Sequence, residues 1–96
     1  MTPTDGARRS VRMILHGHVQ GVGMRYQARW KAEELGLVGW VKNEPDGTVV
    51  IHIEGPSHKV NAFREWIRAG AAPASHITRT EVFPARTEEL EDFTVR

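Results

Sequence analysis

Three glycines crowd into seven positions of the stretch HGHVQGVGMRY, at Gly17, Gly21 and Gly23, and Arg25 stands just behind them. Further along, Asn43 ends the run LVGWVKN and precedes the turn-forming EPDG. Ordering a glycine costs conformational entropy, so a cluster of them marks a backbone that needs positive φ or close approach by another group. A tight loop entering a helix N-terminus points several unpaired N–H groups in one direction, and the helix dipole favours an anion there. Glycines also let successive amides curl into a nest. A guanidinium in the first helical turn can fork onto two oxygens. Such a set suits a phosphate group. Taken alone the signal is weak, because glycine-rich strand-to-helix turns also arise for geometric reasons. Two phosphate loops of other kinds do not fit. A Walker A loop needs Lys-Ser/Thr where Met24-Arg25 stands, and a dinucleotide fingerprint needs a small residue where Tyr26 stands.

The elements that must carry these residues follow from periodicity. In SVRMILHG, Val11, Met13 and Leu15 share one face and Arg12, Ile14 and His16 the other, which predicts a strand. Met24, Ala28, Ala32 and Leu35 fall at helical spacing and Gly36 closes them. LVGWVKN and TVVIHIEG read as a hairpin around EPDG, with Val49, Ile51 and Ile53 on one face. Gly39, inside the first of these strands, marks a bulge or a close approach. Val60, Phe63 and Ile67 predict a second helix, from about Pro56-Ser57 to Gly70. HITRTEVF is a weaker strand, and a short one ends the chain at Phe93 and Val95. The order is that of an α+β, ferredoxin-like βαββαβ sandwich: two helices on one face of an antiparallel sheet, with a short extra C-terminal strand. In that topology strands one and two run the same way with strand three between them. Their ends lie about 10 Å apart on one rim, which brings the glycine loop to Asn43.

Composition narrows the function classes. Thirteen basic and 12 acidic residues give a net charge of +1, without the excess expected of a dedicated nucleic-acid binder. The alternate face of strand three, with Val50, His52 and Glu54, is poor equipment for stacking RNA bases. With no cysteine, disulfides, thiolate catalysis and cysteine-based metal sites are excluded. His16 and His18 share one side of the chain but have no third ligand at a helpful spacing, so no metal is expected. No apolar run approaches the roughly 20 residues of a membrane span. Residues 1–9 are expected to form a flexible polar leader and 10–96 a single domain, monomeric and cytoplasmic. His52, His58 and His76 are expected at the surface, and Trp30, Trp40 and Trp66 in packing.

GHVQGVGMR together with GWVKNEPDGTV resembles the acylphosphatase family, from about Val11 to Phe93. Departures are Met24 where phenylalanine is usual, AAP at 71–73 in place of a Gly-Pro, and Thr80 where an apolar residue is common. The resemblance implies the same ferredoxin-like fold. It implies hydrolysis of small-molecule acyl phosphates without cofactor or metal. By it, Arg25 grips the phosphoryl group, the amides of Gln20, Gly21, Val22, Gly23, Met24 and Arg25 wrap its oxygens, and Asn43 orients the attacking water. The plain alternatives are a surface arginine at Arg25 and a turn residue at Asn43. A module that binds phosphate without turning it over is a further alternative.

Overall fold

The structure, a computed structural model, describes residues 7–96. The alternating segment forms strand β1 (Arg8–His18), with Val11, Met13 and Leu15 buried. Helix α1 (Met24–Leu35) turns Met24, Ala28 and Ala32 inward and ends at Gly36. Strands β2 (Val38–Asn43) and β3 (Val49–Pro56) make the hairpin, and helix α2 (Ser57–Arg68) buries Val60, Phe63 and Ile67. Strand β4 (His76–Pro84) and the short β5 (Phe93–Val95) complete the chain. The sheet order is β4-β1-β3-β2-β5. Both helices pack on the face carrying Met13, Leu15, Val41, Val49, Ile51 and Ile53, and this is the core. Among the described residues no helix is long and apolar enough to cross a membrane.

Four strands pair antiparallel as expected, whereas β5 pairs parallel with β2, so the whole sheet is mixed. The direction of β5 has a cause. Strand β4 lies at the far edge, and the chain must cross the sheet to reach β2. Residues 85–92 make that crossing on the face opposite the helices, where the Glu88 amide donates to Glu54 Oε2 at 2.6 Å. The chain then enters β5, and the Arg96 amide reaches the Val41 carbonyl at 2.7 Å.

Three expectations need correction. The leader expected over 1–9 is too long at its end, because β1 begins at Arg8. Arg8 and Arg9 pair with Pro56 and Gly55 of β3, whose length templates them, and both remain exposed. Residues 1–6 of that leader lie outside the described residues. His52 is fully buried rather than at the surface, because the 85–92 crossing covers it. Its Nε2 is 2.6 Å from Glu54 Oε2, and its ring stacks on Trp40 with centroids 5.6 Å apart. Arg12 lies 3.3 Å from His52 Nδ1; a guanidinium can only donate, so the ring proton belongs on Nε2, toward Glu54. Trp30, expected in packing, is 55% exposed, because its position on α1 turns it away from the sheet.

Glu88 clamps this crossing. It accepts from the Trp40 indole at 3.0 Å and pairs with Arg12 at 2.8 Å. The Trp40 hydrogen bond, with the nearby charges of Arg12 and Arg96, holds its carboxyl below the ordinary value of 4.5. A group depressed in this way stabilises the fold above its unfolded pKa, and the contribution is lost as pH falls through the folded one. The thermal midpoint is therefore expected to hold near neutrality and to drop below about pH 4.5. Glu88→Gln should cost about 1 kcal/mol at neutral pH and flatten part of the acid limb, as read from melting curves across that range.

Candidate active site

The loop after β1 is built by its glycines. Gly21 and Gly23 take φ of 73° and 79°, the left-handed region. Nothing stands within 4 Å of where a Cβ would be at either position, so backbone conformation and not crowding asks for glycine. Val19 is buried, Met24 is buried and Val22 packs partly against the core, so these side chains anchor the loop from below. Gly23 caps α1 without a side-chain hydrogen bond, and the first helical bond runs from the Gln27 amide to the Gly23 carbonyl at 3.0 Å. The amides of Met24, Arg25 and Tyr26 therefore stand ahead of the helical ladder, at the positive end of the helix dipole.

Arg25 sits one residue into α1 and is half-buried. Its Nη1 donates to a main-chain oxygen of Arg96, the last residue of the chain, at 3.1 Å. Among the described residues its guanidinium has no Asp or Glu partner, in contrast to Arg12. A guanidinium carries five N–H donors, so one bond from Nη1 leaves the others for an anion.

Asn43 is the last residue of β2, opposite Val49 of β3. The turn behind it is tightly tied. The Glu44 amide donates to Thr48 O at 2.9 Å, and Asp46 accepts from the Thr48 amide at 3.0 Å and hydroxyl at 2.6 Å. Those Thr48 bonds, the hydroxyl's foremost, hold the Asp46 carboxyl below its usual range. Asn43 Oδ1 is buried and has no hydrogen-bond partner among the described residues.

Val19, Gly21, Gly23, Met24, Arg25, Tyr26 and Asn43 line one cavity of about 140 Å³. Two predicted loop residues are not among its walls. Val22 faces the core, and the Gln20 side chain turns to the hairpin, donating from Nε2 to Glu44 O at 2.8 Å and Thr48 O at 2.9 Å. Gln20 thus straps the loop to the turn that follows Asn43. The acylphosphatase family profile matches residues 11–95. The chain belongs to the acylphosphatase family. An acylphosphatase from Nocardioides sp. is 44% identical over 93 residues, covering 96% of this chain and 93% of the relative. Two solved structures agree in fold across nearly the whole chain. An acylphosphatase from Coxiella burnetii superposes with a TM-score of 0.89 at 32% identity, covering 100% of both chains. One from Bacillus subtilis gives 0.86 at 36%, covering 94% of this chain and 99% of that one.

Within this acylphosphatase-family enzyme, sequence reasoning missed two contributors. One is the Arg96 main-chain oxygen on Arg25; no local pattern announces it, because it depends on β5 joining β2 in parallel. The other is the Gln20 side chain, which was considered only for its amide. Its position just before Gly21 and its two donors on one nitrogen were the available signal.

Proposed function

We propose that the protein hydrolyses acyl phosphates to a carboxylate and inorganic phosphate without a metal. Arg25 and the loop amides from Gln20 to Arg25 hold the phosphoryl group, and Asn43 orients the attacking water. The observation that carries this reading is Asn43 Oδ1: a buried acceptor without a partner among the described residues, in a residue on the wall of the cavity that Arg25 and the glycine loop also line. Buried acceptors are nearly always satisfied, and one left open at a cavity points to a donor that arrives with function. Water supplies that donor.

The chemistry needs little more. The leaving carboxylate belongs to an acid with a pKa near 4, so it departs unprotonated. Water attacks phosphorus as the bond to the acyl oxygen breaks, and that bond's electron pair leaves with the carboxylate. The proton of the water passes to a phosphoryl oxygen, since a carboxamide is a poor base. Charge spread over the equatorial oxygens meets Arg25 and the amides, which supply the positive field a divalent cation would otherwise supply. We read the enzyme as a cytoplasmic monomer acting on small molecules and not on nucleic acid.

The test is phosphate release from acetyl phosphate with EDTA present, beside ordinary phosphate esters. Full activity with EDTA, and little on esters, is expected, because an alkoxide, unlike a carboxylate, needs a proton as it departs. Activity that EDTA abolishes would overturn the metal-free reading. Phosphate binding without release would leave a sensing module in its place. The Gln20 strap adds a prediction: Gln20→Ala should lower kcat about tenfold and KM little, because it loosens Asn43 against the loop without removing a phosphate ligand. Steady-state kinetics on acetyl phosphate check it.

A further inference from the structure

Two aromatic side chains on α1 are left unexplained by the core and by the reaction. Tyr26 is 64% exposed and Trp30 55% exposed, more than any other large hydrophobic among the described residues. Single exposed apolar residues need no explanation, but these two are four apart on one helix and the first lines the anion cavity. The helix wheel says where they point. With Met24, Ala28 and Ala32 facing the core, Tyr26 lies about 200° and Trp30 about 240° around the helix from Met24. Both therefore face away from the sheet. Asn43 belongs to the sheet, at the end of β2.

We propose that Tyr26 is the specificity-determining wall for the acyl group, with Trp30 extending it, and that the enzyme favours acyl phosphates bearing an aromatic or extended apolar acyl group. This rests on the reading of the cavity given above. In-line displacement puts the incoming water and the leaving carboxylate on opposite sides of phosphorus. Water held by Asn43 is on the sheet side, so the carboxylate and its acyl group leave on the other side, where Tyr26 stands. Trp30 follows about 6 Å further along the helix, beyond a single ring but within reach of a longer chain. Its face carries Lys31 Nζ at 5.8 Å from the ring centroid, which keeps the outer end of the strip in contact with water. Apolar contact and ring stacking would discriminate among acyl groups while the phosphoryl end is held alike for all of them.

The experiment compares kcat/KM for benzoyl phosphate and acetyl phosphate in the unsubstituted chain, Tyr26→Ala and Tyr26→Phe. Tyr26→Ala should reduce the benzoyl-to-acetyl ratio about tenfold, through KM for benzoyl phosphate, and Tyr26→Phe should restore it. Trp30→Ala should leave that ratio in place and reduce the octanoyl-to-acetyl ratio instead. A benzoyl-to-acetyl ratio that Tyr26→Ala does not move, while both substrates are turned over, would overturn this proposal alone. No turnover of either substrate by the unsubstituted chain would overturn the reading beneath it as well.

Discussion

Arg25→Ala is expected to lower kcat/KM for acetyl phosphate by about a thousandfold, with a rise in KM and a fall in kcat together. Both parameters should move because a forked guanidinium holds the phosphoryl oxygens in the ground state and holds them more tightly as charge spreads over them in the transition state. Arg25→Lys should recover only a small part. A lysine keeps the charge, but as a single point on a flexible stem, and cannot span two oxygens. The fold should barely register either change, since among the described residues the hydrogen bond lost is the exposed one to the Arg96 main-chain oxygen. Inhibition by inorganic phosphate gives an independent reading, and its Ki should rise with KM. Loss of less than tenfold in kcat/KM would move phosphate binding to the amides alone.

The same residue shows what the chain makes legible before folding. Its neighbours are local: Gly21, Gly23 and the start of α1 are written in consecutive letters, and backbone geometry decides their conformation. Asn43 was also within reach, through topology. Once β1 and β2 are parallel with β3 between them, the end of β2 must lie near the loop after β1, whatever the side chains are. The amphipathic rows of α2 and β3 told the core correctly because one face of each is apolar. On the other face of β3 the reasoning failed. Val50, His52 and Glu54 look like a solvent face, yet His52 and Glu54 are buried. Burial there is imposed by residues 85–92, a segment without periodicity that hydrogen bonds tie to the sheet. Hydrophobic patterning cannot signal a cover that is attached by hydrogen bonds.

A shorter-range signal did survive inside β2. Gly39 was expected to mark a bulge or a close approach, and the structure shows the approach: a Cβ there would stand 1.8 Å from the His52 carbonyl, at a φ of 150°. The need for glycine thus comes from the neighbouring strand, which no local pattern names, yet the residue itself flags the position. Arg96 carries no such flag. It meets Arg25 only after the chain has crossed the sheet, so its part in the site depends on a contact between residues 71 apart in sequence.

Asn43→Ala is expected to separate turnover from stability, with opposite signs. A carboxamide that aligns water contributes by position, and losing that alignment should cost about a hundredfold in kcat. KM and phosphate inhibition should hold nearly steady, because Arg25 and the amides remain. The stability argument runs the other way. Asn43 Oδ1 is buried without a partner among the described residues, which burdens the folded state by roughly 1–3 kcal/mol when no donor is bound. Removing it should leave the thermal midpoint unchanged or raise it, although Asn43 ends a strand and pairs there with Val49 of β3. Asn43→Asp should be as slow as alanine: it keeps an acceptor but places negative charge against the phosphoryl oxygens. A residue kept merely to end a strand and start a turn would behave in the reverse way, losing stability on substitution and leaving kcat alone. Melting curves and steady-state kinetics on the same Asn43→Ala protein therefore decide between the two roles, because each role predicts a loss in the quantity that the other leaves intact.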